Sequence, residues 1–447
     1  MRKSLFSAPD HAGRWYNSRL AVIVESLVIG LSTGFVVVFF RYTLSRADTL
    51  RQGIYEALRT LPVYNLVLWI LALVAAGLFL GWASKFRPMI KGSGIPQIKG
   101  ALDRKLVLNW SSELPLKITA GILGIGAGLS LGREGPSIQI GAYVGQGVLS
   151  VFRRCRKERK VLIAAASAAG IAAAFNAPLA GVLFVLEELQ PLFSPLFLAC
   201  VMGASMTADA VAGYFFGLKP IFDFRQIAVL PLTEVHWVIL LGILCGFLGD
   251  LFKRALYFFL GLYDRLQIPQ LVRPVIPLLI SIPLGFYFAG ITGGGHNLIE
   301  ALSTGSQPVR ILLVLFAGKV IFTALCYGSG TAGGIFLPLL ACGALAGDSL
   351  GEALANFGFI DHSQAINFLI LGMAAFFSGV VKAPVTGIIL ILEMSGNFNH
   401  LGNLVLVSLS AFVAADLIGS RPVYSVLLER VLKGQAQTGN ARTVPGG

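Results

Sequence analysis

The sequence predicts an all-α membrane protein of many spans, built as two inverted-topology repeats with broken and tilted helices, and three observations carry that expectation. Charge is scarce: 13% of the 447 residues are charged, against about 25% in soluble domains. Hydrophobic residues reach 55% and mean hydropathy is +0.77. A water-soluble globule of that composition would expose wide greasy patches, whereas helices facing lipid need the surplus. The second observation is a run of apolar stretches nearly to the end of the chain, and the third is an internal repeat. Disorder is excluded, because a disordered chain is poor in aromatics and this one holds 31 Phe, 11 Tyr and 5 Trp. The formal charge of +13 comes from short basic runs between apolar stretches. That pattern belongs to membrane topology and to anionic lipids or solutes, not to nucleic acid.

Taken in order, residues 1–19 carry Arg2, Lys3, Arg14 and Arg19 and read as a cytoplasmic N-terminal segment. The run 20–40 is long enough to span and longer than the core of a cleavable signal. Apolar stretches follow at 61–84, 118–132, 135–152, 161–186 and 189–208, and after a more polar linker at 235–249, 275–291, 320–347, 365–381, 383–392 and 401–415. Several are short or interrupted, as at Asn176-Ala177-Pro178 and Lys382-Ala383-Pro384. Such breaks at membrane depth are tolerated where they line a cavity, which is a transporter trait. The loop 153–160 holds six Lys or Arg and is expected in the cytoplasm, as is the basic end of the chain. The expected organisation is a first repeat over 20–217, a linker at 218–234, a second repeat over 235–424 and a short cytoplasmic tail at 425–447.

The repeat can be checked by subtraction. A shift of 202 superposes Lys117 on Lys319, Gly126 on Gly328, Gly132 on Gly334, Pro136 on Pro338, Gly141 on Gly343 and Gly145 on Gly347. A shift of 206 superposes Ala177-Pro178 on Ala383-Pro384, Gly181 on Gly387 and Glu187 on Glu393. Glycine recurs on any helix-packing surface, but a register that keeps Lys, Pro and Glu points to two related halves. Inversion would put their broken helices on opposite sides of the membrane midplane.

Two soluble-enzyme patterns lose force against this repeat. Gly128-Leu129-Ser130-Leu131-Gly132 fits GxSxG and Gly328-Ser329-Gly330-Thr331-Ala332-Gly333 fits GxGxxG, yet neither follows a strand-like segment and the repeat aligns them with each other. An intramembrane hydrolase using Ser130 is therefore disfavoured. The five histidines and five cysteines show no ligand spacing, so no metal, cofactor or disulfide framework is expected.

Three other segments read as helix starts inside the membrane: Gly92-Ser93-Gly94-Ile95-Pro96, Gly132-Arg133-Glu134-Gly135-Pro136 and Gly334-Ile335-Phe336-Leu337-Pro338. In each, glycine permits unusual backbone angles just before a proline suited to a first helical turn. Free amides and the positive end of the helix dipole would make a place for an anion. The plainer alternative is a set of turns between packed helices. Glu134, a carboxylate at membrane depth, is expected to be functional and able to act as a tethered competing anion. Glu187 and Glu188 end an apolar run; Glu187 has a repeat partner in Glu393 and reads as structural, which leaves Glu188 distinctive.

Together GSGIP at 92–96, GREGP at 132–136, GIFLP at 334–338, FNAPLAGVLFVLEE at 175–188 and RPVYS at 421–425 resemble the CLC chloride channels and chloride/proton antiporters. The resemblance runs from about residue 20 to 424, in the right order, and is to the prokaryotic type without C-terminal CBS domains. It implies a central chloride held by the hydroxyls of Ser93 and Tyr424 and the amides of Ile335 and Phe336. It implies Glu134 as the external gate, Glu188 as the internal proton-transfer residue, and a homodimer with one pore per subunit, set in the lipid of a bacterial inner membrane. Relatives that are channels generally lack an acid at the position of Glu188, so exchange of chloride for protons is favoured over a passive gated chloride channel. Ser93 favours chloride over nitrate. Lys99, where relatives often have an acid, adds positive charge near an entrance, with no evident change of mechanism.

Overall fold

The computed structural model describes residues 19–151, 154–190, 193–225 and 227–437. Most of the expected N-terminal segment and the last ten residues lie outside them. The first half runs α1 (Arg19–Leu58), α2 (Val63–Phe86), α3 (Ile95–Leu102), α4 (Trp110–Gly126), α5 (Glu134–Val151), α6 (Arg156–Phe175), α7 (Pro178–Phe184) and α8 (Pro195–Phe216). The second runs α9 (Val235–Arg265), α10 (Val275–Tyr287), α11 (His296–Thr304), α12 (Val309–Gly328), α13 (Phe336–Asn356), α14 (His362–Val381), α15 (Pro384–Ser395), α16 (Leu401–Leu417) and α17 (Val423–Gln437). Among the described residues, eight helices are long and apolar enough to cross a bilayer. Burial sorts them: 89% of the apolar windows of α13 and α14 lies inside the protein, against 28% for α2. The pair α13 and α14 is thus the centre, and α2 turns its Leu and Val side chains outward.

Glycine sets how closely the central helices pack. A β carbon on Gly347 would sit 1.9 Å from the Phe368 carbonyl oxygen, and one on Gly343 would sit 2.4 Å from that of Gly372. The first half repeats the device, with Gly141 of α5 against the Ala166 carbonyl at 2.2 Å and Gly170 of α6 against that of Ser137 at 2.3 Å. Only hydrogen side chains allow such approach, the usual means of joining helices where no hydrophobic drive separates them from lipid.

The breaks fall where the sequence places them. Asn176 ends α6 and Lys382 ends α14, each in the left-handed region (φ 51° and 66°). Pro178 and Pro384 then open α7 and α15, where a missing N–H costs nothing.

The two halves also exchange matching bonds. Gly132 N donates to Gly334 O at 2.6 Å and Gly334 N to Gly132 O at 2.8 Å, an antiparallel bridge between repeat-equivalent residues. The Glu187 carboxylate accepts from the amides of Val385 and Thr386, while that of Glu393 accepts from Leu179 and Ala180. Buried Lys117 donates to the carbonyls of Ile90 and Gly92, and buried Lys319 to those of Ile291 and Gly293. Each bond thus has a counterpart in the other half, at shifts of 201 to 206, and the two chains run antiparallel at the Gly132–Gly334 bridge.

Up to Gln437, the end of the chain is more ordered than a plain tail. The expected tail at 425–447 begins inside α17, and Leu428, Val431 and Leu432 pack with Met89, Leu106, Leu108 and Tyr143. Leu428 is apolar and repeats at helical spacing with Val431 and Leu432, so burial rather than solvation decides its fate. The linker 218–234 is likewise tied down: Phe222 N bonds to Met394 O, and the Asn397 side chain holds the carbonyls of Phe224 and Ile227.

Candidate functional site

Three broken segments aim helix N-termini at one region. Gly94 caps α3 in the left-handed conformation (φ 86°), with the side chain of Gln139 filling the space a β carbon would need. Helix α5 starts at Glu134 and α13 at Phe336. In α13 the first intrahelical bond is Leu339 N to Ile335 O, so the amides of Ile335, Phe336 and Leu337 precede the helical ladder. The segments touch: a β carbon on Gly135 would lie 2.7 Å from Ser93 Cβ, and one on Gly334 would lie 3.1 Å from the Gly135 amide nitrogen. Such closeness at Gly135 and Gly334 is why no larger residue can stand there.

From α13 the contacts continue inward through rings. Phe336 lies 5.2 Å from Phe175, 6.0 Å from Phe184 and 4.8 Å from Phe377 between centroids, and Phe184 lies 6.4 Å from Tyr424. Tyr424 is fully buried, yet its hydroxyl has no protein hydrogen-bond partner. A buried phenol without a partner is costly unless something else accepts from it. Ser93 is also fully buried; its hydroxyl accepts from Ile95 N at 3.3 Å and stands beside the Tyr327 phenol. Helix starts supply partial positive charge here, and two buried hydroxyls belong to the segments around them, chemistry that suits a small anion.

Glu134 sits at the outer end of this arrangement. Its side chain is fully buried, and neither carboxylate oxygen makes a hydrogen bond of good geometry. The donors that face it are its own amide and that of Leu337, and Arg133 Nε stands 3.8 Å from Oε1. The carboxylate thus occupies an anion's position over the α13 N-terminus. Beyond it opens a cavity of about 730 Å³ whose walls include Arg133, Leu337, Arg51, Asp48 and His296. Arg133 and Leu337, which flank Glu134, are also walls of that cavity, so the carboxylate lies next to it.

At the other end, Glu188 lies on a π-helical turn, Val185–Leu189, and is 5% exposed. The turn follows directly on α7, and as neighbours on a helical turn Glu187 and Glu188 point in different directions. Glu187 reaches across to α15, as the Val385 and Thr386 bonds show, whereas Glu188 Oε1 pairs with Lys99 Nζ at 2.7 Å. Lys99 Nζ also donates to Ser425 Oγ at 3.1 Å. The expectation that Lys99 merely lends charge to an entrance is corrected: it holds Glu188 directly and ties it to the first turn of α17.

The model of the voltage-gated chloride channel family matches residues 76–416. The chain belongs to that family. The H(+)/Cl(-) exchange transporter ClcA of Salmonella typhi is 37% identical over 428 residues, covering 93% of this chain and 90% of the relative. That of Citrobacter koseri is 36% identical over the same length. Among solved structures, a slow cyanobacterial Cl-/H+ antiporter superposes with TM-score 0.87 at 32% identity, over 94% of this chain and 99% of that one. A eukaryotic CLC transporter shares the fold at TM-score 0.77 and 23% identity, over 93% of this chain and 74% of its own.

A voltage-gated chloride channel family member with eight apolar spans among the described residues is an integral, multi-pass membrane protein. Its relatives are transporters, and the enzyme-like serine has another occupation: Ser130 Oγ shares a hydrogen bond with Thr323 Oγ1 at 2.7 Å. Within the family fold, two site features escape the motif reading. Tyr327 packs its phenol against Gly92 and Ser93, and nothing in its local sequence marks it apart from any other aromatic on an apolar helix. The second is the α11 start, Gly293-Gly294-Gly295-His296, which matches Gly92-Ser93-Gly94-Ile95 at a shift of 201; Gly293 and Gly295 share the positive φ of Gly92 and Gly94. The extra glycine in place of Ser93 hid it, although the shift itself was a usable signal.

Proposed function

We propose that this protein is a secondary active transporter that exchanges chloride for protons across a bacterial inner membrane. The observation that supports this best is the placement of two buried carboxylates, Glu134 and Glu188, at opposite ends of one anion-suited region. Chloride would rest between the Ser93 and Tyr424 hydroxyls and the Ile335 and Phe336 amides. Gly92, Gly94, Pro96, Gly132, Arg133, Gly135, Pro136, Gly334 and Pro338 would shape the helix starts around it. Ionised Glu134 competes with chloride for the α13 amides; once protonated it loses that attraction, leaves, and opens the site to the cavity outside. Glu188 would relay protons between the cytoplasm and Glu134, while the bulk of Tyr424 closes the inner side. One carboxylate thus alternates as gate and as proton carrier, which is what couples the two fluxes. No cofactor takes part.

The matching bonds between the halves support inverted repeats, and the positive loop at 153–160 supports cytoplasmic termini. The unit would be a homodimer in lipid with one pathway per subunit. The test is reconstitution in liposomes with a chloride gradient and a pH electrode. Uphill proton movement supports exchange; chloride flux without proton movement means a passive channel.

A further inference from the structure

We propose that Lys99 is the positioning residue that sets when Glu188 takes up a proton, and that it ties this event to the helix carrying Tyr424. This rests on the reading of Glu188 as the internal proton-transfer residue. Three observations carry it. The Lys99 Nζ–Glu188 Oε1 distance is 2.7 Å with the carboxylate almost wholly enclosed. The same ammonium donates to Ser425, the residue after Tyr424. Lys99 itself belongs to α3, the helix that begins just after Ser93. One cation therefore touches three elements: the helix of the anion site, the proton site and the inner gate.

The chemistry follows from competition. An ammonium at contact distance stabilises the carboxylate over the acid, and its hydrogen bond occupies an oxygen that a proton would need. Burial of the carboxylate and the neighbouring Glu187 charge oppose that effect, so Lys99 is the group that holds the balance. Glu187, next on the turn, spends both oxygens on the Val385 and Thr386 donors of α15. Tyr424 of α17 supplies a phenol. Helix α7 has no titratable residue, and α6 carries charge only in its first five positions. Proton entry on either oxygen thus weakens the Lys99 ion pair, and because Ser425 shares that ammonium, the start of α17 senses the change. The proton-delivery step should then hasten as the pH falls, with a midpoint lower than it would be without Lys99.

The experiment uses the full chain in liposomes with the pH stepped equally on both sides. Chloride-driven proton uptake and chloride flux are measured for the wild type, Lys99→Met, Lys99→Gln, Lys99→Arg and Glu188→Gln. Lys99→Met and Lys99→Gln should both extend proton uptake to higher pH, moving its midpoint up by about one unit or more. Lys99→Arg, which keeps the charge, should keep the wild-type profile. The Glu188→Gln chloride flux reports the share of the profile that belongs to Glu134, and adding Lys99→Gln to it should change nothing further. An unmoved midpoint in Lys99→Gln, with chloride flux intact as proof of folding, overturns the proposal while leaving Glu188 in its role. Persisting proton uptake in Glu188→Gln overturns both readings at once.

Discussion

The two buried glutamates are the same side chain in two opposite circumstances. Glu134 has no strong partner: the α13 amides and a guanidinium 3.8 Å away face it loosely. Glu188 is clamped by an ammonium at 2.7 Å. A carboxylate held only by the weak donors of an anion site can be displaced by an anion, so Glu134 suits a gate. One held by a specific cation cannot be displaced by chloride and changes only by titration, so Glu188 suits a proton relay. The difference in partners, not in residue type or burial, would separate the two proposed roles.

The largest effect should come from removing the loosely held one. Glu134→Gln or Glu134→Ala should abolish proton coupling while chloride still passes, because the neutral side chain no longer competes for the amides; chloride flux with a pH electrode checks it. Next, Glu188→Gln should stop proton transport with chloride flux retained, which would break the comparison if both fluxes fell together. Tyr424→Ala removes a donor and the inner wall, so chloride occupancy by isothermal titration should fall and protons per chloride should drop. Ser93→Pro removes a hydroxyl and should shift preference from chloride towards nitrate. The smallest change in transport belongs to Glu187→Gln. It weakens three hydrogen bonds to α15, so thermal stability should drop by roughly 1–3 kcal/mol with coupling intact.

Much of this was legible because the fold writes its constraints into glycine, proline and charge. Gly141 and Gly343 repeat since both meet a backbone carbonyl too close for any side chain. Glu187 and Glu393 repeat since each satisfies the other half's helix start. Pairing the two in the sequence points to the helix-start bonds that Glu187 and Glu393 make. What could not be read are contacts between segments remote in the chain with no repeat to betray them. Lys99 and Glu188 are 89 residues apart, and no periodicity links them. Tyr327 looked like one more aromatic on α12. The α17 packing was not legible because the boundary at 424 follows the end of the family resemblance and falls inside a helix begun at Val423.

The central claim is that a single carboxylate, Glu134, both blocks the anion path and carries the proton. The most direct measurement reconstitutes the wild type and Glu134→Ala side by side, imposes a chloride gradient, and records chloride and proton movement in the same vesicles. The account predicts uphill proton movement in the wild type and chloride flux with none in Glu134→Ala. Proton pumping that survives in Glu134→Ala would contradict it.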